Sequence, residues 1–145
     1  MEKGVSWLSA HSCIRMEASV IRILVVDDNP AVRRFLRAAL EREHCCEICD
    51  EAGNGAQAIL RFQQAKPDLI LLDFQMPEMN GLEAARQITG LSPDIPILMV
   101  TMYLSKQLID EARKVGIRGA CEKTNLSSVM AGVGALLRQE TYFPS

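Results

Sequence analysis

Three apolar runs of strand length, each ending on a polar group, constrain this chain more than anything else in it: Val20 to Val26 before Asp27 and Asp28, Asp68 to Asp73, and Ile95 to Val100 before Thr101. Runs this short and this rich in branched aliphatic residues suit strands covered on both faces, whereas a half-solvated strand would alternate polar and apolar positions. Between them the period changes to that of helices. Val32, Phe35, Leu36, Ala39 and Leu40 fall on one helical face, with Pro30 where a helix can begin. Asn54 can cap a second helix that Lys66 and Pro67 end, Gly81 to Gln87 reads as a short third, and Ser105 can cap a fourth that Gly116 closes. Leu126, Val129, Met130, Val133 and Leu137 mark a fifth, which Gly132 and Gly134 are expected to weaken. Cys46 to Glu51 and Arg118 to Glu122 make two weaker strands, completing five alternations. Because each crossover between parallel strands returns right-handed over the sheet, the expected fold is α/β and doubly wound, a parallel sheet with helices on both faces.

Size and charge agree with one such domain. At 145 residues the chain can bury one core, and a net charge of −2 gives no long-range attraction toward a phosphate backbone, so direct nucleic-acid binding is not expected. The five cysteines are odd in number and irregularly spaced, which suits a reducing cytoplasm better than a disulfide framework. No apolar run is long enough to span a membrane. Residues 1–19 are expected to form a loosely ordered arm, 20–138 the domain, and 139–145 a tail or the start of a linker; a true start at Met16 is compatible with this reading.

In an open parallel sheet the ligand crevice lies beyond the carboxyl ends of the strands, where strand order reverses. Asp27 and Asp28, Asp73, Thr101 and Lys123 all fall at such ends. Carboxylates brought together there repel one another unless a cation intervenes, and an all-oxygen set without histidine or thiol selects a hard ion such as Mg²⁺. Singly, each has a plainer explanation: Asp-Asp after a strand is usually a turn or helix cap, and a strand-end Asp commonly bonds backbone. Their joint placement shifts the balance toward chemistry. His44, Cys45, Cys46 and Cys49 form one short cluster, too little for a closed zinc site. Arg33, Arg34 and Arg37 read as a solvated helix face, and the methionines as packing.

The segments VVDDNPAVR, LILLDFQMPEMNG and ILMVTMY, with the lysine of CEKT, resemble the signature segments of bacterial two-component receiver domains over roughly Ile21 to Leu137. The resemblance implies a five-stranded flavodoxin-like fold with strand order 2-1-3-4-5. It implies Asp73 as phosphoacceptor, Asp28 as direct metal ligand, Asp27 as a second acting largely through water, the Gln75 backbone carbonyl as a third, and Thr101 and Lys123 against the phosphoryl group. It further implies Mg²⁺ as cofactor, a sensor histidine kinase as donor, and a protein that modifies itself without being a turnover enzyme. MPEMNG, VTMY and LLRQETYFPS are similar to receivers joined to LuxR-type helix-turn-helix domains, so the expected partners extend to a homodimer, a downstream protein or a separate DNA-binding output domain. Ala120 departs from the pattern, since relatives usually carry Tyr or Phe three residues before the lysine. Altered switching is the expectation, with Tyr103 as a substitute ring and Glu122 modifying the partner surface more than the site. An aspartyl phosphohydrolase would space its acidic pair by one residue, a flavin carrier would place hydroxyls where two aspartates stand, and a never-phosphorylated pseudo-receiver would retain the fold alone.

Overall fold

Residues 20–144 are described in the computed structural model; the arm expected over residues 1–19 lies outside them, as does Ser145. Strands β1 (Ile21–Val26), β2 (Cys46–Ala52), β3 (Leu69–Asp73), β4 (Ile97–Thr101) and β5 (Gly119–Glu122) alternate with helices α1 (Pro30–Glu41), α2 (Gly55–Ala65), α3 (Gly81–Leu91), α4 (Lys106–Lys114) and α5 (Leu126–Leu137). The strands form one parallel sheet in the order β2-β1-β3-β4-β5. Order reverses between β1 and β3, so the ends of these two strands flank the crevice.

Side-chain alternation along the strands divides the core into two layers. Ile23, Val25, Leu71 and Leu98 face Leu36 and Leu40 of α1 and Val129 and Val133 of α5. Leu24, Ile70, Leu72 and Met99 face Ala58 of α2, Ala84 and Ile88 of α3 and Ala112 of α4. Every residue of β3 and β4 is buried, the burial that their unbroken apolar runs demand.

Local signals set the helix ends. The Asn29, Asn54, Asn80, Ser105 and Asn125 side chains each accept a backbone N–H in the first turn of the helix they precede. Helix α4 closes on Gly116 at φ +95°, with the Gly116 and Ile117 N–H groups donating to Arg113 and Ala112, a Schellman motif. Helix α3 runs past its expected end at Gln87 because Ile88 is buried and the Ser92 N–H still reaches the Ile88 carbonyl. Strand β2 reads poorly in sequence for a structural reason: its register to β1 slips between Ile48 and Asp50, leaving Cys49 as a bulge. Gly132 does not act as the flaw expected in α5. It is buried, and a Cβ there would stand 3.0 Å from Leu98 and 3.1 Å from the Tyr142 ring, so the missing side chain is what lets the helix approach.

Candidate phosphoacceptor site

The polar pocket at the carboxyl end of the sheet is assembled from four strand ends. Asp27, directly after β1, is almost fully buried, and all its polar groups are engaged. Its N–H donates to the Ala52 carbonyl at 3.0 Å, its Oδ1 accepts the Asn29 N–H at 2.9 Å, and its Oδ2 meets Lys123 Nζ at 2.7 Å. Its carbonyl accepts Arg33 Nη1 at 2.5 Å. Asp28 is exposed beside it. Asp73, ending β3, is 3% exposed; its Oδ1 accepts the Gln75 N–H at 3.3 Å and lies 3.2 Å from Lys123 Nζ. Thr101 ends β4 buried, and its carbonyl accepts the Lys123 N–H at 2.8 Å, which registers the lysine after β5 against the site.

Two features place a ligand requirement on this pocket. Asp27, Asp28 and Asp73 each offer an oxygen within 4.8 Å of the others. Among the described residues, Asp73 Oδ2 is the buried side-chain polar atom with no hydrogen-bond partner. An orphaned buried carboxylate oxygen costs about 1–3 kcal/mol or more, so a group that supplies positive charge there would be bound favourably. The donor set is all oxygen and hard. Burial first, and then the charge of Asp27, push the Asp73 carboxyl up to about 6, against the opposing pull of Lys123 and the Gln75 N–H. For Lys123, burial alone would lower the ammonium, but the hydrogen bonds and charges of Asp27 and Asp73 outweigh it and hold it above its ordinary value.

The turn between β3 and α3 brings the backbone tightly against Asp73. A Cβ at Gly81 would stand 2.3 Å from the Asp73 carbonyl oxygen, so only glycine fits there. A cavity of about 300 Å³ opens beside the site between Phe74, Gln75, Thr101 and Tyr103.

Every residue expected at the site from sequence lies at this end of the sheet. The supporting shell is different from the expectation. Arg33 and Arg37 do not form a solvated face: Arg33 Nε bonds Glu51 Oε1 at 2.9 Å, and Arg37 Nη2 meets Glu51 Oε2 at 2.6 Å. The pair ties α1 to β2, and through Arg33 to Asp27. Their spacing of four on α1 was legible, but their partner in β2 was not. Tyr103 is 80% exposed, whereas Ala120 is fully buried in the layer facing α4, so Tyr103 does not fill the position of a ring at Ala120. Glu122 points to the outer face, where its Oε2 accepts the Leu104 N–H at 3.3 Å.

Comparison with known proteins places this geometry in a family. The family described as "Response regulator receiver domain" matches residues 23–132. An uncharacterised transcriptional regulatory protein of Bacillus subtilis, YxjL, is 32% identical over 129 residues, covering 88% of this chain and 59% of that protein. The chemotaxis protein CheY of Thermotoga maritima is 32% identical over 97 residues, 67% of this chain and 80% of that protein. Among solved structures, a LuxR-family two-component response regulator from Aurantimonas superposes with a TM-score of 0.82 at 27% identity, covering 86% of this chain and 89% of that one. The chain spans 51–60% of the length of three transcriptional regulators it matches. With the five-stranded order, the clustered aspartates and the strand-end lysine all in place, the chain belongs to the response regulator receiver domain family.

Proposed function

We propose that this domain accepts a phosphoryl group on Asp73 in two-component signalling and thereby changes a protein-interaction face, residues 20–138 being the receiver unit. The observation that carries this reading is the buried, unpartnered Asp73 Oδ2 set beside Asp27, Asp28 and Lys123. In the reaction an Asp73 oxygen attacks phosphorus, the bond from phosphorus to the donor breaks, and an aspartyl phosphate remains. A phosphohistidine of a sensor kinase leaves its electron pair on the imidazole nitrogen; a small acyl phosphate leaves as a carboxylate. Even raised to about 6, the Asp73 carboxyl is mostly ionised at neutral pH, the form a nucleophile needs. Lys123 supplies positive charge to the phosphoryl oxygens, and the Thr101 hydroxyl a hydrogen bond.

Mg²⁺ fits the oxygen set, and Asp28, Asp27, Asp73 and the Gln75 carbonyl are the residues that would hold it. When bound, it neutralises charge on the incoming phosphate. The chain is then a phosphoacceptor that catalyses only its own modification and its reversal. Cytoplasmic residence follows from such a donor, and no helix among the described residues is long and apolar enough to cross a membrane. The signal would be read on the outer face of α4 and β5, by a homodimer, a downstream protein or a DNA-binding output domain.

Phosphate-affinity gel mobility tests the reading. Wild type incubated with acetyl phosphate should give a retarded band that needs Mg²⁺, and Asp73→Asn should give none. An equal shift in Asp73→Asn would remove Asp73 from the role, and no shift in wild type would favour a fold retained as a constitutive interaction module.

A further inference from the structure

Beyond α5 the chain turns back onto the sheet. Gln139 adopts the left-handed conformation at φ 65°, and the Gln139 and Glu140 N–H groups donate to Leu136 and Ala135, a Schellman turn. A left-handed non-glycine residue costs about 1 kcal/mol and persists where its surroundings compel it. Tyr142 then pairs with Gly119 as a parallel bridge on the free edge of β5: its N–H donates to the Arg118 carbonyl at 2.9 Å, and its carbonyl accepts the Ala120 N–H at 2.8 Å.

The side chains alternate as on a strand. Tyr142 packs against the α5 layer, its hydroxyl 3.0 Å from Ser128 Oγ, in space kept open by two glycines: a Cβ at Gly119 would meet the Tyr142 carbonyl at 2.9 Å, and one at Gly132 the ring at 3.1 Å. Phe143 packs against the α4 layer, the layer that holds Ala120, with the Arg113 guanidinium 4.1 Å from its ring centre. Pro144 reaches a groove of about 730 Å³ between α4 and β5 that Leu104, Ile109 and Glu122 also line.

We propose that residues 140–144 are a latch seated in a strand-addition site, and that this site's partner is an extended polypeptide segment with two adjacent aromatic residues that takes the latch's place. The edge of β5 supplies one donor and one acceptor to any extended chain, and the notch at Gly119 and Gly132 together with Arg113 selects aromatic side chains at successive positions. The inference deepens the reading of α4 and β5 as the output face and rests on it only for biological purpose. The binding itself involves no phosphoryl chemistry.

A fluorescein-labelled peptide of residues 139–145, QETYFPS, is the probe, with fluorescence polarisation and amide hydrogen exchange as readouts on the whole chain and no phosphodonor present. In wild type the tethered latch competes at an effective concentration in the millimolar range, so the probe should bind the Tyr142→Gly/Phe143→Gly chain at least about 10-fold more tightly. The Ala120 amide should exchange at least about 10-fold faster in that variant and regain protection when the probe is added. Phe143→Gly alone, which changes the latch and leaves the groove intact, should raise probe affinity more modestly and serves if the double variant fails to fold. Equal affinity for wild type and variants, unchanged Ala120 exchange, or equal binding of a QETGGPS control would overturn the proposal. So would a wild-type chain that is dimeric through exchanged tails. Because acetyl phosphate plays no part, such failure would leave the Asp73 reading standing, and failure of Asp73 to react would leave the latch standing.

Discussion

At Asp73, burial and the neighbouring Asp27 charge set the energetics of the pocket. The carboxyl is raised from 3.8 to about 6, so the folded chain holds this proton more tightly than the unfolded chain. With a raised carboxylate the sign is a cost at neutral pH: ionised Asp73 opposes folding above pH 6, and the cost fades as pH falls through 6 toward 4. A shift of this size corresponds to about 3 kcal/mol. In EDTA at pH 7, Asp73→Asn is therefore expected to stabilise the chain by about 1–3 kcal/mol in urea denaturation, with the gain shrinking toward pH 4.5. Added Mg²⁺ should stabilise wild type more than the variant; a variant no more stable than wild type at pH 7 would contradict the burial argument. Lys123 carries the opposite prediction. Lys123→Met leaves Asp27 and Asp73 buried without their cation, which should cost about 3–5 kcal/mol in EDTA and be partly recovered by Mg²⁺. Sequence indicated that both groups stand at strand ends, because β-strand termini are local features. It could not indicate the orphaned oxygen, which depends on what every neighbour fails to donate.

Among the elements, α3 shows how backbone geometry positions the site. Gly81 starts α3 against the Asp73 carbonyl, and the 2.3 Å approach leaves no room for a methyl group. Gly81→Ala should cost about 1–3 kcal/mol in denaturation and weaken Mg²⁺ binding in calorimetry, because relief of the clash moves Asp73. Gly116→Ala is the control. Its φ of +95° and a 3.0 Å approach to Thr89 Cγ2 predict a comparable loss of stability, with Mg²⁺ affinity unchanged, since it lies away from the site. The caps Asn54 and Ser105 were legible, since a cap is a contact within one turn, whereas the caps Asn29, Asn80 and Asn125 emerged only with the structure. The length of α3 was not, because it is set by burial of Ile88 against other elements. The Arg33, Arg37 and Glu51 linkage was hidden for the same reason: its partners are 14 to 18 residues apart and meet only once α1 packs on β2.

For the whole molecule, the order β2-β1-β3-β4-β5 puts β1 and β3 inside the sheet and under helices on both faces. Amides of Leu24, Val25, Ile70 and Leu71 should thus exchange only through global unfolding, and those of the β2 edge sooner, in native-state hydrogen exchange. The sequence by itself determined the alternation of elements, the parallel sheet and which polar residues stand at strand ends, because periodicity and turn chemistry act over a few residues. The strand order came from the likeness of motifs and was established by the pairing seen here. Only the tertiary structure decided that Glu51 braces α1, that Asp73 keeps an unpaired oxygen, and that Tyr142 and Phe143 return to β5, because each is a meeting of groups far apart in the chain that folding alone brings within a bond length or two.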